Sequence, residues 1–251
     1  MTDTKRGRVR VEDGQKRVRA LLGSEVIVDS TNAKYVWELP YYPTYYFPAA
    51  DVRTELLVAT GESYRSPSRG TASVHTIKAG EQEAEGAARV WDGAAIDDLA
   101  GFVSFRWAAM THWFEEDVEV FVHARDPHTR IDILQSSRHI EVMIDGVKVA
   151  DSHQPRLLFE TGLPVRYYLP KTDVRLDLLV PSDTHTACPY KGTAEYWHVR
   201  KDDGLAEDIV WSYPTPVPES MQIAGYLSFY NEKVDIRVDG ELEARPKTHF
   251  S

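Results

Sequence analysis

The chain has 251 residues, of which 42% are hydrophobic and 27% charged, a composition typical of an ordinary globular protein. Its net charge of −10 argues against a nucleic-acid-binding protein, because such proteins normally carry a basic face. No apolar run approaches the roughly 18 residues of a membrane span, so we expect no membrane contact. A single cysteine, Cys188, cannot form an intrachain disulfide, which favours the reducing cytoplasm. These data do not indicate an oligomeric state.

The chain contains the same sequence twice. Residues 16–76 align without a gap on residues 138–198 at a constant offset of 122 positions, and sixteen of the aligned positions are identical. The identities cluster where Tyr45–Arg53 faces Tyr167–Arg175. A period of this length is too long for a solenoid repeat of about 20 to 50 residues. It therefore indicates a duplicated domain.

Tight-turn residues between alternating apolar and polar positions predict β-hairpins in both copies. In chain order these hairpins turn at Gly23-Ser24, at Asp145-Gly146 and at Asp239-Gly240. Asp-Gly suits a type I′ turn, in which both central residues need positive φ. Residues 166–169 and 174–178 also alternate with a period of two, although the second segment is compatible with a short helix.

The two copies differ near their ends. If Gly101–Phe105 is matched with Gly225–Phe229, and Val118–Val120 with Val234–Ile236, the first copy carries eight extra residues within 106–116. The large apolar residues of this insertion have the spacing of one helical face; they are Trp107, Met110, Trp113 and Phe114. We therefore predict a helix from Trp107 to Glu116 that either packs on a sheet or covers a pocket.

Taken together, these patterns predict a mainly β protein with two tandem domains related by pseudo-two-fold symmetry and a short helix inserted in the first. The first copy is expected over residues 1–130 and the second over residues 131–251. Short strands separated by fourteen prolines and fifteen glycines favour an all-β architecture.

Several motifs of the second copy resemble the bacterial and fungal family called domain of unknown function 427. The matching segments are Asp173–Leu179, Cys188–Gly192, Tyr196-Trp197, Trp211–Pro214, Ile223–Tyr230 and Val238–Gly240. The tandem arrangement is similar to a two-copy version of that family. The resemblance implies β-tent-like domains, a fold group related to zinc-bearing methionine sulfoxide reductases, and it implies little about activity.

The segment Cys188-Pro189-Tyr190-Lys191-Gly192 is the candidate catalytic loop. A cysteine acts as a nucleophile in its thiolate form, which a neighbouring cation such as Lys191 would favour. The first copy has Ser66-Pro67-Ser68-Arg69-Gly70 at these positions. This difference is typical of one working site and one degenerate copy, and it also suits a purely structural turn.

We expect a pocket beside this loop in the second copy. Its predicted ligand-binding residues are Arg175, Tyr190, Trp197 and Tyr168, with Cys188 and Lys191 as predicted catalytic residues. A guanidinium and aromatic walls suit a small anionic or carbonyl-bearing ligand. The alternative for Arg175 and its counterpart Arg53 is a structural ion pair within each copy.

We expect no cofactor and no metal. His185, Cys188 and His198 have a spacing that zinc could use, but paired Cys-x-x-Cys knuckles are impossible with one cysteine. The sequence leaves three functions open: an enzyme acting on small molecules, a noncatalytic ligand-binding module, and a protein-interaction platform. A nucleotidyltransferase is a remote fourth alternative, because no paired carboxylates follow the glycine turn.

Overall fold

The computed structural model of the protein describes residues 9–39 and 41–248. The chain divides into two compact units, Met1–Asp126 and Pro127–Ser251. Each unit consists of antiparallel strands and short 3-10 helices, which confirms the mainly β, two-domain prediction. None of the helices found in the described residues is long and apolar enough to cross a bilayer.

The described residues of the first unit form eleven strands. They are β1 (Arg10–Asp13), β2 (Val18–Leu22), β3 (Glu25–Ser30), β4 (Lys34–Trp37), β5 (Thr44–Pro48), β6 (Leu57–Ser66), β7 (Gly70–Ala79), β8 (Gln82–Ala94), β9 (Phe102–Phe105), β10 (His112–Glu115) and β11 (Val118–Glu119). Its 3-10 helices are Ala49–Asp51, Thr54–Leu56, Asp97–Leu99 and Trp107–Ala109. A seven-stranded sheet has the order β1-β4-β5-β9-β8-β7-β6, and a four-stranded sheet has the order β11-β10-β2-β3.

The second unit repeats this topology. Its strands are β12 (Ile131–Gln135), β13 (Ile140–Ile144), β14 (Val147–Ser152), β15 (Arg156–Glu160), β16 (Arg166–Leu169), β17 (Leu179–Cys188), β18 (Gly192–Lys201), β19 (Gly204–Ser212), β20 (Leu227–Phe229), β21 (Asp235–Val238) and β22 (Glu241–Leu242). Its 3-10 helices are Lys171–Asp173, Leu176–Leu178 and Pro218–Ile223. The sheets have the orders β12-β15-β16-β20-β19-β18-β17 and β14-β13-β21-β22.

The seven-stranded sheet of each unit is covered by apolar residues on both faces. Because successive strand residues point to opposite faces, Tyr45 and Phe47 pack in the core shared with the four-stranded sheet, whereas Tyr46 packs in a second cluster with Trp91. In the second unit, Tyr167 and Leu169 belong to the shared core and Tyr168 to the second cluster. In each unit, the Tyr-Tyr pair therefore contributes one side chain to the shared core and one to the cluster on the other face of the sheet.

The predicted hairpins are confirmed. β13 and β14 pair around Asp145-Gly146, and both turn residues have positive φ, 48° and 81°. β21 and β22 pair around Asp239-Gly240 in the same way, with φ of 54° and 87°. β2 and β3 pair around Gly23-Ser24. Local turn chemistry was sufficient to place all three.

The predicted helix from Trp107 to Glu116 is wrong over most of its length. Only Trp107–Ala109 is helical, as a single 3-10 turn, and His112–Glu115 is strand β10. This strand pairs with β2 as β21 pairs with β13, so Glu115 opposite Val18 corresponds to Val238 opposite Ile140.

The eight-residue insertion predicted for the first copy is therefore wrong as well. The correct match is β10 with β21, not Val118–Val120 with Val234–Ile236. The next residues agree with it, since Glu116 and Asp239 both have positive φ, 51° and 54°. The apolar residues with helical spacing belong instead to a segment that includes strand β10, in which Trp113 and Glu115 are buried.

Candidate functional site

The Cys188–Gly192 loop joins β17 to β18. Gly192 has a φ of +99°, a conformation that favours glycine, and the Lys191 N–H donates to the Cys188 carbonyl at 3.3 Å. The loop is also held from outside, because Val217 N–H donates to the Lys191 carbonyl and Ser220 Oγ donates to the Tyr190 carbonyl. These contacts hold the backbone of the loop in a defined turn.

The Lys191 side chain is buried against Glu160. Its Nζ donates to Glu160 Oε2, and the two side chains are only 11% and 9% exposed. Within the described residues, no hydrogen bond joins Lys191 Nζ to the Cys188 sulfur. The Lys191 charge is thus neutralised by an adjacent carboxylate, which weakens the argument that it activates the thiol.

The first unit has the same ion pair. Arg69 forms an ion pair with Glu38, and Tyr46 Oη donates to Glu38 Oε1 at 2.7 Å. Arg69 Nη1 also donates to the Tyr46 hydroxyl at 2.7 Å. Glu38 corresponds to Glu160 on the repeat diagonal, so the basic residue in both loops binds the same carboxylate. The ion pair is therefore common to both copies.

Tyr168 lies on the same side of the second sheet as Cys188. Its side chain is fully buried, Trp211 Nε1 donates to its hydroxyl at 3.1 Å, and Cys188 packs at the edge of the same cluster. Burial is the main cause that raises the pKa of Tyr168, so the hydroxyl stays protonated. Tyr190 is also buried. Four predicted site residues therefore lie near one another: Cys188, Tyr190, Lys191 and Tyr168.

Arg175 and Trp197 do not join them. Arg175 is exposed, and its guanidinium forms two hydrogen bonds with Asp177, at 2.8 and 2.6 Å. Trp197 packs against the core shared by the two sheets, on the face opposite Tyr196, because adjacent strand residues alternate. Arg53 pairs with Glu25 and Glu55 in the first unit. The two duplicated arginines thus form surface ion pairs.

His185, Cys188 and His198, whose spacing zinc could use, form no cluster with metal-ligand geometry within residues 9–39 and 41–248, but another group does. His198 Nδ1 accepts from the Asp208 N–H. Among the described residues, a group with metal-ligand geometry is formed by His139, Asp151 and His153, whose ligand atoms lie within 4.8 Å of one another. Lys148 already donates to Asp151 at 2.7 Å, which neutralises the carboxylate that a cation would need.

A cavity of about 210 Å³ opens in the first unit. Its polar lining includes Glu38, Thr44, Arg89, Ser104, Arg106 and His123, and its aromatic lining includes Tyr42, Tyr45, Phe105, Trp107 and Trp113. The rings of Trp107 and Trp113 are stacked, with centroids 4.7 Å apart. An apolar wall with a few converging polar groups is the usual form of a ligand site.

Two features of the cavity rim stand out. Val122 has a φ of 73°, a strained conformation for a β-branched residue, and strain of this kind concentrates at functional sites. His123 stacks on Tyr42 at 4.0 Å, and its Nδ1 donates to the Ala124 carbonyl at 2.8 Å. Burial lowers the pKa of His123, so the ring is neutral at pH 7.

Sequence reasoning missed this cavity because it placed the working site in the second copy. One available signal was the identity of Glu38 and Glu160 on the repeat diagonal, opposite two basic residues. A second signal was the exchange of Arg89 for Trp211 at equivalent strand positions.

The chain belongs to the family described as domain of unknown function (DUF427), whose model matches residues 10–116 and 132–240. The curated proteins include no match to the chain.

Proposed function

We propose that the protein binds a small molecule in the first-unit cavity and that binding, not catalysis, is its function. The observation that supports this proposal is a difference between the two copies. In the first unit a cavity of about 210 Å³ is lined by Thr44, and at the equivalent strand position the second unit carries the buried Arg166 side chain. The cavity is smaller than the roughly 300–1,000 Å³ of drug-sized sites, so its guest is about the size of one ring.

The equivalence follows from strand register. Thr44 pairs with Val36 in the first unit as Arg166 pairs with Leu158 in the second. Arg166 is buried and bonded to Glu232, whereas Thr44 lines open space. Since duplicated domains start from one structure, a position filled in one copy and open in the other has been changed without loss of the fold.

The polar groups of the cavity favour binding over proton transfer. Glu38 is the carboxylate that would act as a general base, but Arg69 and Tyr46 already bind it. Ser104 Oγ accepts a hydrogen bond from Trp91 Nε1 at 2.9 Å. Groups that are already hydrogen-bonded to the protein can orient a ligand. A general base must instead lie within hydrogen-bond distance of the substrate proton that it removes. The lone cysteine continues to favour a cytoplasmic site for this binding.

The proposal is tested by an unbiased fragment screen on the full chain. The indole N–H signals of Trp107 and Trp113 report on the cavity, and the signal of Trp211 is the internal control for the second unit. We expect fragments that shift the first two signals and leave the third unchanged. If no fragment of any charge does so, the proposed function is wrong.

A cavity-filling substitution locates the binding. Thr44→Phe places a large side chain in the cavity and is expected to abolish the fragment-induced shifts. Thr54→Phe is the matched control, because Thr54 is exposed on a 3-10 helix away from the lining. Equal loss in both variants would place the fragments elsewhere.

A further inference from the structure

We infer that the ligand of the first-unit cavity is a small planar molecule that carries an anionic group, in the class of aromatic carboxylates. This inference rests on the proposed function and specifies its ligand. Its starting point is what the second unit holds at the same place. There, a guanidinium lies among aromatic rings and a carboxylate, and each of these groups has been exchanged in the first unit.

In the second unit, the Arg166 guanidinium takes the place that we propose for the ligand in the first unit. Its Nη atoms bind both oxygens of Glu232, at 2.7 and 2.8 Å. Its central carbon lies 5.6 Å from the centre of the Trp211 ring and 5.7 Å from that of Tyr230. A cation between aromatic faces, with one carboxylate to neutralise it, is a complementary arrangement.

The first unit carries cations where the second carries rings. Arg89 faces Ser104 as Trp211 faces Ser228, so Arg89 occupies the Trp211 position. Arg106 N–H donates to the Ala87 carbonyl as Tyr230 N–H donates to the Ile209 carbonyl. The two ring positions around the guest are therefore both arginines in the first unit.

The cation and its carboxylate are absent from the corresponding positions. Thr44 stands at the position of Arg166. Ala109 N–H donates to the Arg106 carbonyl, and Lys233 N–H donates to the Tyr230 carbonyl in the same way. The residue before each donor is therefore equivalent, so Ala108 stands at the position of Glu232. The second unit's guest and its counterion have thus both been lost. At these positions the first unit therefore has neither the cation nor the carboxylate of the second unit.

The electrostatic balance of the cavity favours an anion. Glu38 is the one carboxylate among the described lining residues, and Arg69 neutralises it. Among residues 9–39 and 41–248, no ion pair is found for Arg89 or for Arg106. The Arg89 guanidinium lies 3.6 Å from the centre of the Tyr64 ring, and Arg106 donates to the Glu85 carbonyl. The lining therefore includes two arginines that form no ion pair in the described residues, and it includes no described carboxylate without a cation.

The remaining lining defines the rest of the ligand. An aromatic wall is formed by Tyr45, Trp107 and Trp113. The centre of the Tyr45 ring lies 5.7 Å from that of Trp113 and 6.2 Å from that of Trp107. Such a wall binds a flat apolar body. A guanidinium binds a carboxylate through two parallel hydrogen bonds. A ring with one carboxylate fits both features and the volume of about 210 Å³.

The test uses three compounds with one ring and different charges: benzoate, benzamide and benzamidinium. Dissociation constants are measured on the full chain from the indole shifts of Trp107 and Trp113. We expect benzoate to bind roughly tenfold more tightly than benzamide, because the charged pair has the stronger hydrogen bonds, and benzamidinium to bind weakest. Inorganic phosphate should bind more weakly than benzoate, because it lacks the ring.

Arg89→Gln should lower benzoate affinity roughly tenfold and leave benzamide affinity unchanged. Arg65→Gln is the matched control, since Arg65 is an exposed arginine on β6 of the same sheet and is not a lining residue of the cavity. Unchanged indole signals in the free variants show that both have folded. Loss of benzoate and benzamide affinity in equal measure would overturn the charge-specific role of Arg89.

The outcomes separate this inference from the proposed function. Benzamidinium binding as tightly as benzoate, or phosphate binding as tightly as benzoate, overturns the inference while ligand binding itself stands. If none of the three ring compounds shifts the two indole signals but other fragments do, the inference alone fails. If no fragment of any charge shifts them, both fail.

Discussion

Glu160 accepts a hydrogen bond from Lys191, and both side chains are about nine-tenths buried. Arg69 and Glu38 repeat the contact in the first unit, although Glu38 is more exposed, at 24%. The lysine predicted to be catalytic thus has a structural partner, and the partner is an acid that both copies retain. The stability of the second unit should therefore depend on Lys191.

Lys191→Met should destabilise the second unit by about 3–5 kcal/mol, because it leaves the Glu160 carboxylate buried without a counterion. Lys191→Arg should cost far less, since arginine holds this position in the first unit. Hydrogen exchange of the β17 and β18 amides measures the change in that unit alone. Lys78→Met is the control, because Lys78 is exposed in a surface pair with Glu83. Equal protection in Lys191→Met and wild type would contradict the prediction.

Two equivalent glycines should differ in their tolerance of alanine. Gly70 and Gly192 both have positive φ, +93° and +99°, so either substitution strains the backbone by about 1–2 kcal/mol. A Cβ at Gly70 would lie only 2.3 Å from the Gly93 carbonyl oxygen, whereas at Gly192 the nearest atom is 3.3 Å away.

Gly70→Ala should therefore destabilise its unit more than Gly192→Ala destabilises the other. Each effect is measured as the loss of amide protection in the strands that flank the substituted turn. If Gly192→Ala costs as much as Gly70→Ala, backbone strain alone governs both turns and the close approach of Gly93 has no influence.

Features set by local chemistry were predictable from the sequence. The hairpins at Asp145-Gly146 and Asp239-Gly240 follow from the turn residues alone, and the duplication predicted that both units share one topology. β10 was missed because Glu115 is buried where its counterpart Val238 is apolar. Tyr45 and Lys16 bind this carboxylate, and no sequence pattern shows that a glutamate with such partners faces inward.

The candidate site was less predictable, for a different physical reason. The Cys188 loop has the residue types of a reactive site, but the charge of Lys191 is neutralised by a residue distant in sequence. Thr44 lines the first-unit cavity at the strand position where the second unit carries the much longer, buried Arg166. A cavity made by a missing side chain has no motif, and it becomes visible when strand register pairs the two positions.

Acid should weaken the second unit through Glu232. Burial would raise the pKa of this carboxyl, but hydrogen bonds from Arg166 and Thr248 lower it from 4.5 to about 2. Because the folded pKa is the lower one, the stabilisation is complete above pH 4.5 and is lost as pH falls toward 2. At about 1.4 kcal/mol per unit, the loss approaches 3 kcal/mol.

Glu232→Gln should remove this part of the acid sensitivity. The free energy of unfolding is measured between pH 5 and pH 2, and the variant should show a flatter profile although it is less stable at neutral pH, where Arg166 has lost its counterion. Parallel profiles for the variant and wild type would show that Glu232 does not titrate in this range.

Cys188 should react with iodoacetamide more slowly than a free cysteine at pH 7. The thiol is half-buried at the edge of the Tyr168 cluster, and Lys191 donates to Glu160 instead. Alkylation followed by intact-mass spectrometry measures the rate, with the urea-unfolded chain as the control. A folded chain that reacts faster than the unfolded one would support the catalytic loop. Cys188→Ser should leave benzoate binding unchanged.

Arg166→Ala should open, in the second unit, the space that the first unit leaves open. It removes the guanidinium and leaves Glu232 buried without a counterion, at a cost of about 3–5 kcal/mol. Trp211 and Tyr230 remain as aromatic walls, so the new site should select a cation. Low millimolar methylguanidinium should therefore raise the melting temperature of the variant by binding its native state.

The two units are expected to bind ligands of opposite charge, and this contrast is what the experiment tests. Methylguanidinium should stabilise Arg166→Ala and neither wild type nor Arg175→Ala, whose missing arginine is exposed and paired with Asp177 in the native chain. Benzoate should not rescue Arg166→Ala, because Glu232 repels it. If benzoate stabilises this variant as well as methylguanidinium does, the exchange of rings for arginines does not determine which charge each unit accepts.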